Sequence, residues 1–482
     1  MENTSVLVPE GKVFLGGRWV DAPDTHTVRA PWDGAPLGVV GLADHALAER
    51  AVTLAHEAFP RLWRQPAHAR RAVLDRLVLG LEGARDELAS LLASEAGKPI
   101  TLARVEVARA IATFRLSAEE SVRAPGEFLA LDGTPAGEGA GAVCARVPTG
   151  PVLAISPFHF PLNLVAHKLG PAFALGAPVV LKPAPQTPLV ALRLASLVAA
   201  AGAPEGLLSV LPCALPVARA LVDDPRLPVV SFTGSAAVGW GLRAQCPRKK
   251  VLLELGGNAA AVVEPDADLE HALQRITAGA FAYAGQVCIK VQQAYVHRDV
   301  PDAWVEALTA KAGALRVCAP EDPSGLLGPM IDEAAAVRVA RWVQEAVDGG
   351  ARVTAGGARE GNRHEATVVS GARAGMKLVD EEVFGPVLTI HRYAHLDEAL
   401  ETLEAGRYGL QAGLFTHDLR KVTRCFWALR VGALVVNDAP TFRVDQMPYG
   451  GAKDSGAGRE GVRYAMEEFT DRRLLVLKGF LP

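Results

Sequence analysis

The stretch PVLAIS (residues 151–156) begins a regular alternation that decides the fold. A helical pattern follows it, and the next apolar run is PVVLKP (178–183). Thr187 at an N-cap position and Pro188 at the first helical position open another helix, which leads to LLSVLP (207–212). Strands that alternate with helices predict an α/β protein with a parallel, doubly wound sheet.

The same alternation continues downstream. A short helical pattern covers residues 215–222, and the strand PVVSF (228–232) follows it. The turn at 233–235 then leads to the strand VLLEL (251–255). A second alternating segment from about residue 257 to 436 predicts a second α/β domain.

The chain upstream of the alternation is less regular. KVFLGGRWV (12–20) predicts two short strands, and the apolar spacing over 70–96 predicts helical structure. The Gly-rich stretch 129–145 interrupts the alternation. It is either a linker or an arm that pairs with another subunit, together with the C-terminal run LLVLKGFLP (474–482).

The composition is that of a globular chain with a large core. Half of the 482 residues are hydrophobic and 21% are charged, with a net charge of −3, so a small-molecule partner is expected and nucleic acid or an acidic membrane is not. The start MENTSVLVPEGKVF lacks a signal-peptide pattern and no stretch is apolar enough to span a bilayer, which predicts a cytoplasmic protein. The six cysteines form no CxxC pair, so neither a disulfide framework nor a metal site is expected.

Two segments are candidates for a phosphate-binding loop. GAGREG (456–461) matches G-x-G-x-x-G, but no apolar strand precedes it. SFTGSAAVG (231–239) fits better, because a strand leads directly into the Gly234-Ser235 turn and then into a helix whose free N–H groups favour an anion. A plain tight turn is the alternative. Walker, HExxH and G-x-S-x-G motifs are absent from the sequence.

Two further segments carry a nucleophile and a base. FAYAGQVCIKVQ (281–292) places Cys288 after a Gly-Gln turn, and LELGG (253–257) ends a strand with Glu254 beside two glycines. Taken alone, a single cysteine is more often a small buried hydrophobic residue, and a glutamate at a strand end is usually solvated. Their occurrence together makes covalent catalysis the better interpretation.

The chain resembles the NAD(P)-dependent aldehyde dehydrogenases over essentially its full length. It is most similar to the branch with lactaldehyde, non-phosphorylating glyceraldehyde-3-phosphate and phosphonoacetaldehyde dehydrogenases. The resemblance rests on seven motifs in the expected order. They are SPFHFPLNL (156–164), LKPAPQTP (181–188), FTGS (232–235), LELGG (253–257), GQVC (285–288), EVFGP (382–386) and PYGGAKDSGAGREG (448–461).

The resemblance implies three structural parts. A Rossmann-like cofactor domain would comprise residues 1–124 and 147–255, and an α/β catalytic domain would comprise 256–447. A small β oligomerisation arm and the C-terminal tail would comprise 125–146 and 448–482. A homodimer or homotetramer is expected.

The resemblance also implies the catalytic roles. Cys288 would attack the aldehyde to form a thiohemiacetal, whose hydride leaves to NAD or NADP. Glu254 would then activate the water that hydrolyses the thioester.

The cofactor contacts follow from the same resemblance. Lys182 is expected at the adenosine ribose and Ser235, after Gly234, at the pyrophosphate. Glu382 and Phe384 are expected at the nicotinamide ribose and its surroundings. Ser156 and Pro157 complete the predicted cofactor set.

The sequence departs from the family pattern at two positions. His159 stands where the family has an asparagine that helps to hold the oxyanion, so it either replaces that donor or binds a charged group of the substrate; Asn163 is a weaker alternative donor. Pro185 stands three residues after Lys182, where many NAD-preferring members have a glutamate. Without that carboxylate a 2′-phosphate is not repelled, so NADP is also expected.

The resemblance favours a small, anionic aldehyde, with a phosphonoacetaldehyde-like substrate as the first choice. The candidate substrate-binding residues are Arg109, His159, Lys290 and Arg443. Two other functions stay open: a coenzyme A-acylating semialdehyde dehydrogenase, which has less use for Glu254, and a relative that has kept the fold but lost catalysis.

Overall fold

The computed structural model describes residues 8–123 and 126–479. Residues 1–7, 124–125 and 480–482, which include the end of the LLVLKGFLP run, lie outside the described residues. The strands are β1 (Lys12–Leu15), β2 (Arg18–Asp21), β3 (Asp24–Arg29), β4 (Pro36–Leu42), β5 (Gly126–Ala130), β6 (Ala140–Pro148), β7 (Val152–Ile155), β8 (Val179–Lys182), β9 (Leu208–Val210), β10 (Val229–Thr233), β11 (Lys250–Glu254), β12 (Ala259–Val263), β13 (Val291–His297), β14 (Arg352–Ala355), β15 (Arg359–Glu360), β16 (Arg363–His364), β17 (Thr367–Ser370), β18 (Val387–Tyr393), β19 (Tyr408–Gly409), β20 (Gln411–Phe415), β21 (Ala433–Val436), β22 (Ala452–Lys453), β23 (Gly456–Ala457) and β24 (Thr470–Lys478).

The helices alternate with these strands through most of the chain. They are α1 (His45–Leu62), α2 (Ala67–Gly83), α3 (Arg85–Ala96), α4 (Ile100–Glu120), α5 (Asn163–Leu175), α6 (Pro188–Ala200), α7 (Leu215–Asp223), α8 (Ala236–Gln245), α9 (Leu269–Phe281), α10 (Asp302–Gly313), α11 (Glu333–Asp348), α12 (Lys377–Asp380), α13 (Leu396–Ala405), α14 (Leu419–Ala428) and α15 (Val462–Glu468).

The first large sheet has eight strands in the order β2-β1-β9-β8-β7-β10-β11-β23. The five strands from β9 to β11 run parallel to one another, and the pairs at both edges are antiparallel. Because the chain winds outward from β7 to β9 and then returns to β10 on the other side of β7, the sheet is doubly wound, as the alternation predicts. The carboxyl ends of β7 and β10 therefore form the crevice where ligands bind in such sheets.

Helices cover both faces of this sheet, because successive strand residues point to opposite sides. Val152 belongs to the core formed with α2, α3, α4, α5 and α6. Leu153 belongs to the core on the opposite face, with α1 and α7. The GAGREG segment begins with the two-residue edge strand β23, which pairs antiparallel with β11, whereas a dinucleotide-binding loop follows a parallel strand of the sheet.

The second large sheet has seven strands in the order β14-β17-β18-β13-β12-β20-β21. Its pairs are parallel except at the β14 edge. Its two faces pack in separate cores, one with α9, α10 and α11 and the other with α13 and α14. The predicted α/β class, with a second sheet that has helices on both faces, is confirmed.

The Gly-rich stretch forms part of a third, three-stranded antiparallel sheet in the order β24-β6-β5. β6 pairs with β5 on one side and along its whole length with β24 on the other. The strands expose large apolar side chains on this arm, including Phe128, Leu474, Leu475 and Val476. No helix within residues 8–123 and 126–479 combines the length and apolarity needed to cross a membrane.

The helix α6 begins where the sequence predicts, but its N-terminus is satisfied differently. Thr187 occupies the N-cap position and Pro188 the first turn, yet the buried Thr187 hydroxyl finds no hydrogen-bond partner among the described residues. The buried carboxylate of Glu95 on α3 instead accepts hydrogen bonds from the backbone N–H groups of Leu189 and Val190. The carboxyl group of a residue on a neighbouring helix thus replaces the local cap; burial raises its pKa to about 8, and the two N–H donors oppose this.

We expect Glu95→Ala to destabilise the protein more than Thr187→Val. Glu95→Ala leaves two buried N–H groups without acceptors, which costs about 1–3 kcal/mol in the free energy of unfolding. Thr187→Val removes a hydroxyl that has no partner, so its effect is expected to be below about 1 kcal/mol. Urea denaturation followed by circular dichroism measures both, and equal losses would show that Glu95 does not cap the helix.

Candidate functional site

Several predicted residues meet at the carboxyl edge of the first sheet. Ser156 follows β7, Lys182 ends β8, Ser235 follows β10 and Glu254 ends β11. Because these strands are parallel neighbours, their carboxyl ends lie along one edge of the sheet. The crevice between β7 and β10 is therefore lined by residues that the sequence singled out separately.

Cys288 is held by an unusual turn between α9 and β13. Tyr283 and Ala284 have positive φ angles of 54° and 53°, and Gly285 continues the left-handed turn. Left-handed backbone costs energy for residues with a side chain, so other contacts must hold it. The buried Gln286 does so by accepting a hydrogen bond from the Ile331 N–H and donating to backbone carbonyls.

The two glycines of the LELGG motif let the two sheets approach each other. A Cβ on Gly257 would lie 2.5 Å from the carbonyl oxygen of Cys288, and one on Gly256 would lie 2.2 Å from a carboxylate oxygen of Glu382. The Gly257 N–H also donates to Glu382 Oε1 at 3.0 Å. A larger residue at position 257 would therefore push the Cys288 backbone away from the end of β11, whereas one at position 256 would displace only the Glu382 carboxylate.

The Cys288 sulfur lies beside a tyrosine hydroxyl. Cys288 Sγ and Tyr449 Oη are 3.0 Å apart, and the guanidinium of Arg443 lies 3.5 Å from the centre of the Tyr449 ring. Cys288 is partly exposed, Tyr449 is buried and the Arg443 side chain is only 5% exposed. Burial raises the pKa of the Cys288 thiol to about 11, while Tyr449 and Arg443 act in the opposite direction.

Glu254 is buried close to this group. A Cβ on Gly450, the residue after Tyr449, would lie 2.9 Å from Glu254 Oε1. Neither carboxylate oxygen has a hydrogen-bond partner within the described part of the chain. Burial and the nearby Glu460 raise the pKa of Glu254 well above its usual value, and Arg443 opposes this. A buried carboxyl with free oxygens and a raised pKa is suited to accept a proton.

Glu460 anchors the charges behind the site. Its carboxylate contacts Lys168 Nζ at 3.2 Å and Arg443 Nη2 at 3.1 Å, and all three side chains are buried. Burial opposes ionisation of Glu460, but these two cations outweigh it and lower its pKa. Arg443 Nε has no partner among the described residues and keeps a free N–H donor.

A cavity of about 220 Å³ opens beside Cys288. Besides apolar residues, it is lined by four cationic side chains, Lys98, Arg109, Arg275 and Arg443. Each of them is already paired with a carboxylate. The pairs are Lys98 with Glu106, Arg109 with Asp445, Arg275 with Asp438 and Arg443 with Glu460.

The cavity also contains Asn163, the weaker oxyanion candidate. Its amide nitrogen donates to Asp445 Oδ1 at 3.2 Å, and its amide oxygen accepts from the Thr113 hydroxyl at 3.2 Å. Asp445 additionally binds Arg109 at 2.8 Å and His167 at 2.9 Å. Burial opposes ionisation of Asp445, but these partners outweigh it and lower its pKa.

The structure does not bring Lys290 and His159 into the cavity lining. The Lys290 ammonium donates to the carbonyl oxygens of Gly385 and Val387, so it points into protein and not toward a substrate. His159 is buried, and its ring lies 4.8 Å from that of Phe384. Burial and the charge of Lys98 lower the pKa of His159 to about 3, so the ring is neutral at physiological pH.

The predicted cofactor residues have the chemistry that a dinucleotide needs. Ser235 is the exposed N-cap of the ten-residue helix α8 and forms no side-chain cap bond, which leaves N–H groups of the first turn free for a pyrophosphate. The Lys182 ammonium contacts only the Pro183 carbonyl in the described structure, at 3.1 Å. Burial raises the pKa of Glu382 to about 7. Pro185 is exposed three residues after Lys182.

Sequence reasoning missed several residues of this site. Tyr449 lies within a quoted motif but received no role, and Glu460, Asp445, Arg275 and Lys98 were not singled out. A buried carboxylate that pairs with a buried cation is not recognisable in the local sequence, because the two partners come from distant segments. Within residues 8–123 and 126–479, no group of three or more His, Cys, Asp or Glu side chains is placed to hold a metal ion.

A model of the aldehyde dehydrogenase family matches residues 19–475. The chain belongs to the aldehyde dehydrogenase family. It is 41% identical over 466 residues to a 3-sulfolactaldehyde dehydrogenase of Priestia aryabhattai, with 96% of this chain and 97% of the relative covered. The resemblance is thereby confirmed, and the protein is an NAD(P)-dependent aldehyde oxidoreductase.

Solved structures of aldehyde dehydrogenases have the same fold as this chain. Aldehyde dehydrogenase 21 from Physcomitrella patens, in complex with the reaction product succinate, matches with a TM-score of 0.96 and 40% identity over 98% of both chains. The NADP-dependent glyceraldehyde-3-phosphate dehydrogenase of Bacillus halodurans C-125, complexed with NADP, matches with a TM-score of 0.94 and 32% identity over 97% of this chain and 99% of that one.

Proposed function

We propose that this aldehyde dehydrogenase oxidises a short aldehyde that carries a sulfonate or a similar monoanion to the corresponding acid. The observation that carries the proposal is the pairing of every cation in the cavity beside Cys288 with one carboxylate. A fully paired set attracts an anion through free N–H donors but offers little excess positive charge. It therefore suits a monoanion better than a dianion such as a phosphonate at neutral pH.

Two guanidinium groups are the best candidates to hold the anion. Both line the cavity; Arg443 keeps an unpaired Nε–H, and Arg109 uses Nε and Nη2 for Asp445, so its Nη1 has no partner among the described residues. Arg donors match the oxygen geometry of sulfonates and phosphonates. The relative from Priestia, which is a 3-sulfolactaldehyde dehydrogenase, supports the same class of substrate.

We assign the chemical steps to Cys288 and Glu254. The Cys288 sulfur attacks the aldehyde carbon, and Glu254 accepts a proton from the water that hydrolyses the thioester. NAD(P), when bound, would accept the hydride. The buried Glu254 carboxylate with two free oxygens supports hydrolysis over transfer to coenzyme A.

His159 enters this proposal as a neutral group. Both ring nitrogens are buried without partners among the described residues and the ring lies outside the cavity lining, so its one N–H is unpaired and we assign it no contact with the substrate. Its lowered pKa argues against a charged contact with the substrate anion.

An aldehyde panel with NAD and NADP tests the substrate class. 3-Sulfolactaldehyde and lactaldehyde differ by the sulfonate group, and sulfoacetaldehyde and phosphonoacetaldehyde differ mainly in charge. We expect kcat/KM to be higher for the sulfonated member of each pair. A preference for phosphonoacetaldehyde would support the first choice from the sequence, and activity that requires coenzyme A would overturn the hydrolytic route. The ratio between the two cofactors tests the effect of Pro185.

Substitution of Arg443 tests the anion contact. We expect Arg443→Gln to lower kcat/KM for 3-sulfolactaldehyde about 10- to 100-fold more than for lactaldehyde, because a hydrogen bond to a charged group contributes about 1.5–3 kcal/mol. Arg109→Gln should show the same selectivity. Arg226→Gln is the control, since Arg226 pairs with Glu49 and Asp224 outside the cavity. An unchanged ratio in both cavity variants would contradict the proposal.

Replacement of Glu254 separates the two half-reactions. Glu254→Gln should give a rapid burst of reduced cofactor, close to one equivalent per site, followed by turnover slowed about 10²–10⁴-fold, because acylation does not need the water-activating base. Stopped-flow absorbance at 340 nm measures both phases. Equal loss of the burst and of the steady rate would place Glu254 before hydride transfer instead.

We also propose that the three-stranded arm joins copies of this chain. Its outer strands β5 and β24 have no further strand partner within residues 8–123 and 126–479, and they carry exposed apolar side chains. Introducing Leu474→Asp and Val476→Asp together should reduce the mass measured by light scattering to that of a monomer. The double substitution Arg71→Asp with Asp75→Arg, on the solvent-facing side of α2, is a control that should leave the assembly unchanged.

A further inference from the structure

The hydrogen bond between Cys288 Sγ and Tyr449 Oη is the closest polar contact recorded for the sulfur. It joins the Cys288 turn to the PYGG segment, 161 residues later in the chain. The contact stands out because the asparagine of the family's oxyanion pattern is replaced by His159, whose ring packs against Phe158 and Phe384. A hydroxyl donor beside the sulfur thus occurs in a chain that lacks the usual amide donor.

Chemistry determines the direction of this hydrogen bond once the sulfur is ionised. A thiolate has no proton and can only accept, whereas the Tyr449 hydroxyl has one proton to donate. Arg443 lies over the face of the ring and draws electron density from it, which makes the hydroxyl a stronger donor. Burial raises the pKa of Tyr449 well above its usual value, so the hydroxyl keeps its proton.

We infer that Tyr449 is a catalytic residue, whose hydroxyl donates a hydrogen bond to the Cys288 thiolate and so increases the fraction of reactive sulfur at neutral pH. The inference rests on the proposed role of Cys288 as nucleophile, and it is independent of the proposed anionic substrate. In the step itself the thiol proton leaves to water, a sulfur–carbon bond forms, and the carbonyl π electrons move to oxygen. Tyr449 keeps its proton throughout.

Stabilising a thiolate also makes it a weaker nucleophile, so the two effects must be compared. The intrinsic reactivity of thiolates changes with a Brønsted coefficient of about 0.4–0.5. A tenfold gain in thiolate fraction therefore costs only about a threefold loss in intrinsic reactivity. The net effect at a pH below the pKa of Cys288 is about a threefold gain in rate.

Other charged groups also act on Cys288 and Tyr449, and the substitution used as a test must leave them unchanged. Arg443 lowers the pKa of Cys288, whereas Glu382 and Glu254 raise it. Arg443 likewise lowers the pKa of Tyr449, whereas Glu254 raises it. Tyr449→Phe removes only the hydroxyl and keeps the ring under Arg443, so these charges are unaffected.

The experiment measures alkylation of Cys288 by iodoacetamide in the full chain between pH 6 and 11, quantified on the Cys288 peptide by mass spectrometry. We expect Tyr449→Phe to slow alkylation about threefold at each pH from neutrality up to the midpoint of the unsubstituted chain, because a pKa raised by about one unit displaces the rising part of the rate profile to higher pH. Tyr295→Phe is the matched control, since it removes a buried hydroxyl that donates to Gln293 in the second sheet.

Three results would overturn the inference. An unchanged profile in Tyr449→Phe would show that the hydroxyl does not stabilise the thiolate, and a shift to lower pH would show that it holds the sulfur as a thiol. An equal shift in Tyr295→Phe would indicate a general structural effect. Because alkylation needs no aldehyde, a failure of the substrate panel would leave this result intact, and the reverse also holds.

Discussion

The contact between Gly257 and the Cys288 carbonyl is the constraint on which the site depends. A side chain at residue 257 would overlap that oxygen, so the end of β11 approaches the Cys288 turn only because glycine stands there. This approach places Glu254, which belongs to the first sheet, near a cysteine that precedes a strand of the second. The same motif makes room for Glu382 at Gly256. Two sheets with separate cores thereby contribute to one candidate active site.

Two buried glutamates of the candidate site differ in how their charge is balanced. Lys168 and Arg443 satisfy Glu460, while Glu254 is left with no hydrogen-bond partner among the described residues. Two buried carboxylates so close together disfavour simultaneous ionisation, and the cations decide which one carries the charge. Glu460 therefore ionises first, while the pKa of Glu254 is raised, so the ionised form of Glu254 is the stronger base of the two, as its proposed role requires.

The cationic side chains that line the cavity are likewise paired, each with a carboxylate. Arg109 is neutralised by Asp445, and Asp445 is also held by His167 and Asn163, so the guanidinium is fixed before any ligand arrives. Preorganised donors lose little conformational entropy on binding. The balance of charges around the cavity makes selectivity depend on the geometry of free N–H groups more than on net attraction, which is the basis for the proposed monoanionic substrate.

The sequence by itself determined the α/β class, the doubly wound order and the identity of Cys288 and Glu254 as the central candidates. These features are local: strand and helix patterns alternate along the chain, parallel strands need crossover helices, and ordered motifs mark their ends. The glycines of LELGG were also visible, although their closeness to Cys288 and Glu382 was not.

Only the tertiary structure decided which side chains meet. Tyr449 reaches Cys288 across 161 residues, and Arg109 reaches Asp445 across 336 residues. Lys290, only two residues after Cys288, instead points to backbone carbonyls of the EVFGP segment and the strand after it. A local pattern records which residues are present but not which distant segment packs against them. Burial and pairing, which depend on that packing, therefore decide the charge of each group in the site.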